Sequence, residues 1–162
     1  MTLAKHQNGA VILVVFLTAL GLTVMPLPEW AKDFRPQWVP LALIYWCLAL
    51  PQRVGMGTAW SLGILEDVIT GTLLGQHALG LSLVAFLTLR LHQRIRIFPL
   101  WQQSITVLVL LLVERLLSLW VIGATGQPTP SLWYWAPTLV GMLLWPWVFI
   151  VLRDIRRRFD VT

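Results

Sequence analysis

Six apolar stretches, approximately 9–25, 36–50, 54–74, 79–91, 104–123 and 132–152, follow one another through 162 residues with gaps of about a dozen residues at most. A helix needs about 20 residues to cross the hydrocarbon core of a bilayer. The chain is 57% hydrophobic and only 12% charged, with a mean hydropathy of +0.75, which no ordinary soluble domain matches. The expected fold class is therefore all-α: a polytopic membrane protein, a six-helix transmembrane bundle forming one integral membrane domain over residues 1–162. The second and fourth stretches are short for the task. They must thin the bilayer, borrow flanking Trp and Arg, or be sheltered by neighbours.

Lys and Arg are retained on the cytoplasmic side of short loops. With six spans and the N-terminus inside, that side holds nine of the twelve basic residues: Lys5, Arg53, Arg90, Arg94, Arg96, Arg153, Arg156, Arg157 and Arg158. The opposite side holds Lys32 and Arg35, offset by Glu29 and Asp33, and Arg115 falls inside the fifth span. Both termini are expected in the cytoplasm. The formal charge of +5 then reflects topology and attraction to anionic lipids rather than nucleic-acid binding. Arg153, Arg156, Arg157 and Arg158 directly follow the last span and read as a lipid or topology anchor. The N-terminal run has no small-residue cleavage site after it, so an uncleaved anchor is expected.

Gaps this short leave no room for a soluble catalytic or nucleotide-binding domain. Phosphate-binding loops, His-Glu-x-x-His and cysteine pairs are missing from the sequence. Cys47, the single cysteine, lies in a span and reads as packing. Gly80-Leu81-Ser82-Leu83 lacks the second glycine of a nucleophile elbow. His6, His77 and His92 fall at tails or span ends, where structural or solvated roles prevail. No catalytic residue, cofactor or metal is expected. Most Trp residues lie near span ends, at headgroup level, whereas Trp145-Pro146-Trp147 sits inside the last span against that rule. Pro40, Pro137 and Pro146 are each expected to remove a helix hydrogen bond and kink the bundle.

The residues that stand out against this background are charged. Glu66 and Asp67 interrupt the third stretch, and Glu114 and Arg115 the fifth. A charge at the bilayer centre costs about 2.5–3.5 kcal/mol on insertion scales, so each should face protein. Small residues at four-residue spacing, Gly55, Ala59, Gly63, then Asp67, Gly71 and Gly75, form one ridge on which another helix can pack closely. On that reading Gly71→Leu should harm more than Gly71→Ala. At 1.5 Å per residue Asp67 and Arg115 lie roughly 20 and 17 Å from the cytoplasmic ends, so Arg115 should meet Asp67 first, Glu66 second and Glu114 third. The four charges then act as an internal clamp, a partner-binding surface, or an ion or proton path.

Several segments carry a resemblance: Phe34-Arg35-Pro36-Gln37-Trp38, Tyr45-Trp46, Ala49-Leu50-Pro51-Gln52-Arg53-Val54, Gly63 to Gly71 with Leu74-Gly75, Leu100-Trp101-Gln102-Gln103, and Leu144-Trp145-Pro146-Trp147. Together they resemble the MreD family of bacterial rod-shape-determining proteins, in its Gram-negative form, from span two to the C-terminus. The Gly63-x-x-x-Asp67-x-x-x-Gly71 element is the most specific part. Glu66 departs from the apolar or small residue expected beside the aspartate, and leaves two candidates for the functional carboxylate. The resemblance implies a non-enzymatic inner-membrane scaffold of the elongation complex, or elongasome, acting in lateral peptidoglycan synthesis. Its implied partners are MreC most directly, then MreB, RodA and its class B penicillin-binding transpeptidase. It also implies a remote likeness to the substrate-binding subunits of energy-coupling-factor transporters. Fold does not carry function with it; the alternative function, a substrate-binding or transport subunit for a small solute, rests on Glu66, Asp67, Glu114 and Arg115 as a polar cavity.

Overall fold

The computed structural model describes residues 9–32, 34–51, 54–71, 74–126, 128 and 132–158, and all regular structure among them is helical. Lys5, His6, Asp33 and Arg53 lie outside the described residues. The elements are α1 (Gly9–Val24), a one-turn α2 (Glu29–Lys32), α3 (Trp38–Ala49), α4 (Met56–Thr70), α5 (Gln76–Arg96), α6 (Leu100–Ala124), a 3-10 turn (Leu132–Trp135) and α7 (Ala136–Arg158).

α3 organises the rest. It has only 12 residues, and every one from Val39 to Leu48 is buried. A helix apolar on all sides has no polar face to offer solvent and must be wrapped by protein or lipid. Here protein does the wrapping, with α1, α5, α6 and α7 all touching it. The short second stretch is thus sheltered by its neighbours. The fourth stretch, expected to be short, is part of a 21-residue helix. Its apolar run ends near Leu91, but His92, Gln93, Arg94 and Arg96 continue the helix with polar side chains.

The outer helices expose what a soluble protein would hide. Leu143 is 73% exposed, Trp120 70%, Val68 65% and Ile105 50%. α6 and α7 are long and apolar enough to cross a membrane, and only 28% of each apolar window is buried within the protein. A core helix of a soluble domain would be mostly buried, and patches of this size mark contact with lipid or partner. The chain is a membrane protein. α1 and α3 are shorter apolar helices.

Arginines close two helix ends. Arg35 donates to the carbonyl oxygens of Thr23, at 2.6 Å, and Met25 at the end of α1. Arg96 does the same to Leu48, at 2.6 Å, and Ala49 at the end of α3. The last carbonyls of a helix have no partner within it and carry its negative dipole end, which suits a guanidinium. Two of the expected proline kinks are absent for a related reason. Pro40 and Pro137 lie in the first turns of α3 and α7, where the backbone N–H would be unpaired anyway. Pro146 alone of the three sits in a helix interior, beyond the first turn.

Trp145 departs from headgroup placement because it is a core residue, fully buried, with its indole N–H donating to Gln103 Oε1 at 3.2 Å. Gln103 in turn donates to the carbonyls of Ile95 and Phe98 at the end of α5. Trp145→Phe should lower stability by about 1 kcal/mol, because it leaves a buried acceptor unpaired. Thermal unfolding of the purified protein would check the shift.

Candidate functional site

The α4–α5 hairpin builds the site, and Gly63 sets how closely its helices approach. A Cβ at Gly63 would fall onto the backbone of Ala78, with the carbonyl carbon of His77 2.7 Å away. Ala59, one turn earlier, is fully buried. Further along the ladder the spacing serves another purpose. Gly71 caps α4 at φ 73° and Gly75 precedes α5 at φ 101°, each with open space where a Cβ would stand. They supply the left-handed backbone of a tight connection rather than room for a neighbouring helix. At Gly55 the nearest atom to an added Cβ is Leu89 Cδ1 at 3.9 Å, an ordinary contact.

This connection returns the chain to Asp67. The Asp67 carboxylate accepts from the backbone N–H of Gly75 at 2.8 Å and of His77 at 2.9 Å, and Oδ1 lies 2.7 Å from His77 Nδ1. The first N–H groups of a helix lack intrahelical acceptors and gather its positive dipole end. A fully buried carboxylate on the preceding helix meets that need. It also sets the imidazole, with Nδ1 donating to Asp67 and Nε2 turned toward Glu66 Oε1 at 3.9 Å.

The expected Asp67–Arg115 bridge is therefore not made. The close acid–base contacts among the described residues join His77 to Glu66 and Asp67, and Arg115 is in neither. Arg115 lies over the Tyr134 ring instead, its guanidinium carbon 4.6 Å from the centroid, and the Tyr134 hydroxyl donates to its carbonyl at 2.9 Å. Glu114 goes a third way. It is buried, accepting from Gln37 Nε2 at 2.6 Å and from Ser118 Oγ at 3.4 Å. Gly80 leaves it room: a Cβ there would stand 2.9 Å from Glu114 Cγ.

Three of the four charges still share one place. Glu66, Glu114 and Arg115 line a cleft of about 300 Å³, together with Arg35, Gln37 and His77. Asp67 sits behind it, holding the hairpin. The cleft collects the C-terminal ends of α1, α4 and α6 and the N-terminal ends of α3, α5 and α7, so the six long helices run alternately up and down. Among the described residues no three His, Cys, Asp or Glu side chains converge as a metal site.

A family model described as rod shape-determining protein MreD matches residues 5–155. The chain belongs to the MreD family. The rod shape-determining protein MreD of Haemophilus influenzae is 35% identical to this MreD-family chain over 150 residues, covering 91% of each. No solved structure gives a significant match. Arg153, Arg156, Arg157 and Arg158 lie on the last two turns of α7, away from the cleft, with Arg153 over the Phe149 ring at 5.8 Å and Arg157 and Arg158 exposed.

Sequence reasoning singled out Glu66, Glu114 and Arg115 for this MreD-family cleft and missed Gln37, Gly80, Ser118 and Tyr134. Ser118 carried a readable signal, since it follows Glu114 by four residues on one helix face. The others come from separate helices, and only tertiary packing brings them in.

Proposed function

We propose that this MreD-family protein acts in bacterial rod-shape determination as a non-enzymatic scaffold of the elongation complex in the inner membrane. The family match across residues 5–155 carries the reading. The form of the molecule suits it: apolar side chains cover the outer helices, while buried charges are collected in one cleft at one end. Lateral recognition of membrane helices needs such an outer surface. MreC is the partner proposed to bind directly, with MreB, RodA and its class B penicillin-binding transpeptidase in the wider complex. The alternating helices and the clustered arginines support six spans with both termini cytoplasmic. A scaffold of this kind contributes to lateral peptidoglycan synthesis without performing chemistry on it.

Deletion of the gene should turn rods into spheres, and the unmodified chain should restore them. Reporter fusions at residues 1 and 162 should both report cytoplasm. Unchanged shape with loss of uptake of one nutrient would replace the scaffold with the solute-capture reading, which the polar cleft favours. Substituting Gln for Arg156, Arg157 and Arg158 should weaken attraction to anionic vesicles by about 1 kcal/mol per residue and leave copurification of membrane partners intact. Pull-down beside vesicle binding separates those two effects.

A further inference from the structure

The cleft holds more hydrogen-bonding capacity than its own residues use. Gln37 must turn its amide NH₂ toward Glu114, because an ionised carboxylate only accepts. That orientation leaves Gln37 Oε1 buried without a donor among the described residues. Glu66 Oε2 is likewise buried without a partner among the described residues, on a residue only 6% exposed. On the opposite side of the balance are donors. Arg115 Nε and Arg35 Nε are buried without acceptors among the described residues, although the terminal nitrogens of Arg35 hold the end of α1.

All four residues line the same cleft. Buried polar atoms are seldom left unpaired in a folded protein, and a group of them around one cavity points to a molecule that pairs them together. The formal charges limit which molecule. Arg35 and Arg115 balance Glu66 and Glu114, so the cleft selects neither sign overall. A simple cation would leave the arginine donors unmet, and a simple anion would face Glu66. We infer that the cleft binds a small ammonium–phosphate zwitterion. The ammonium donates to Glu66 Oε2 and Gln37 Oε1, and the phosphate accepts from Arg115 and Arg35. Donors arriving from two separate elements suit a tetrahedral oxyanion better than a flat carboxylate. The Tyr134 ring covers one face of the Arg115 guanidinium and leaves its edge to bind.

This chemistry occurs free, as phosphoethanolamine, and as the headgroup of phosphatidylethanolamine. Thermal unfolding of the full chain in phosphatidylcholine nanodiscs would test it, because a quaternary ammonium has no N–H to give Glu66 or Gln37. Added phosphoethanolamine should raise the midpoint if the ligand is a free solute, while ethanolamine or inorganic phosphate alone should not. Discs of phosphatidylethanolamine should raise it without any addition if the ligand is the headgroup. Glu66→Gln and Arg115→Gln should each weaken the response about tenfold or more in concentration. A midpoint indifferent to both sources, one half acting as strongly as the whole, or folded variants responding like the parent would overturn the assignment. If both variants fail to fold, the comparison of whole zwitterion with its halves on the unmodified chain decides it.

Discussion

Gly63→Leu should remove the folded protein from the membrane fraction, whereas Gly71→Leu should leave most of it in place. At Gly63 even a methyl group meets the Ala78 backbone, which cannot turn aside as a side chain can. Inserting volume into a packed contact costs about 1–3 kcal/mol when side chains can shift, and more when helices must part. Gly63→Ala should therefore already cost about that much. Gly71 has open space but a φ of 73°. Any L-residue pays the left-handed penalty there, roughly 1–2 kcal/mol, and size adds little. Gly71→Ala and Gly71→Leu should thus be equally mild, without the difference expected from a continuous packing ridge. Abundance in isolated membranes, with thermal unfolding in detergent, reads both pairs. Equal damage at Gly63 and Gly71 would mean that the approach of α4 to α5 is not the constraint.

Asp67→Leu carries the second large effect. It leaves the Gly75 and His77 amides and the His77 ring without their carboxylate. Hydrogen bonds to a charged group contribute about 1.5–3 kcal/mol apiece at most and are only partly additive, so a loss of about 3 kcal/mol or more is expected. Asp67→Asn keeps one acceptor oxygen but turns an NH₂ toward an amide donor, and should fall near half of that. The cycle that pairs Asp67→Asn with Arg115→Gln should give a coupling within about 0.5 kcal/mol of zero, as for residues that share no contact. Strong coupling would restore the direct bridge.

These two residues also mark what could be read in advance. The depth of Asp67 and Arg115 along the bundle was legible, because rise per residue is fixed and the spans are apolar. Their lateral partners were not. Which helix lies beside a buried charge depends on packing order, and nearer claimants compete. Asp67 went to the amides eight and ten residues downstream, brought close by the turn that Gly71 and Gly75 permit. Glu114 and Arg115, adjacent on α6, reach different neighbours, Gln37 and Tyr134. The all-helical membrane character followed from apolar runs, but the ends of α5 did not, since polar residues can extend a helix beyond its apolar part. Pro40 shows the same limit: its effect depended on lying in a first turn, which composition does not reveal.

The burial of α3 bears on how the molecule is made. Twelve residues rise only about 18 Å, against roughly 30 Å of hydrocarbon. As it leaves the ribosome, this segment is too short to rest across a bilayer alone, and three of the four helices that enclose it, α5, α6 and α7, are synthesised later. Enclosure of the second segment is thus completed only as α5, α6 and α7 arrive. A nascent protein halted before α7 would hold its most deeply buried helix incompletely enclosed, which ties the C-terminal helix to biogenesis as well as to the finished fold.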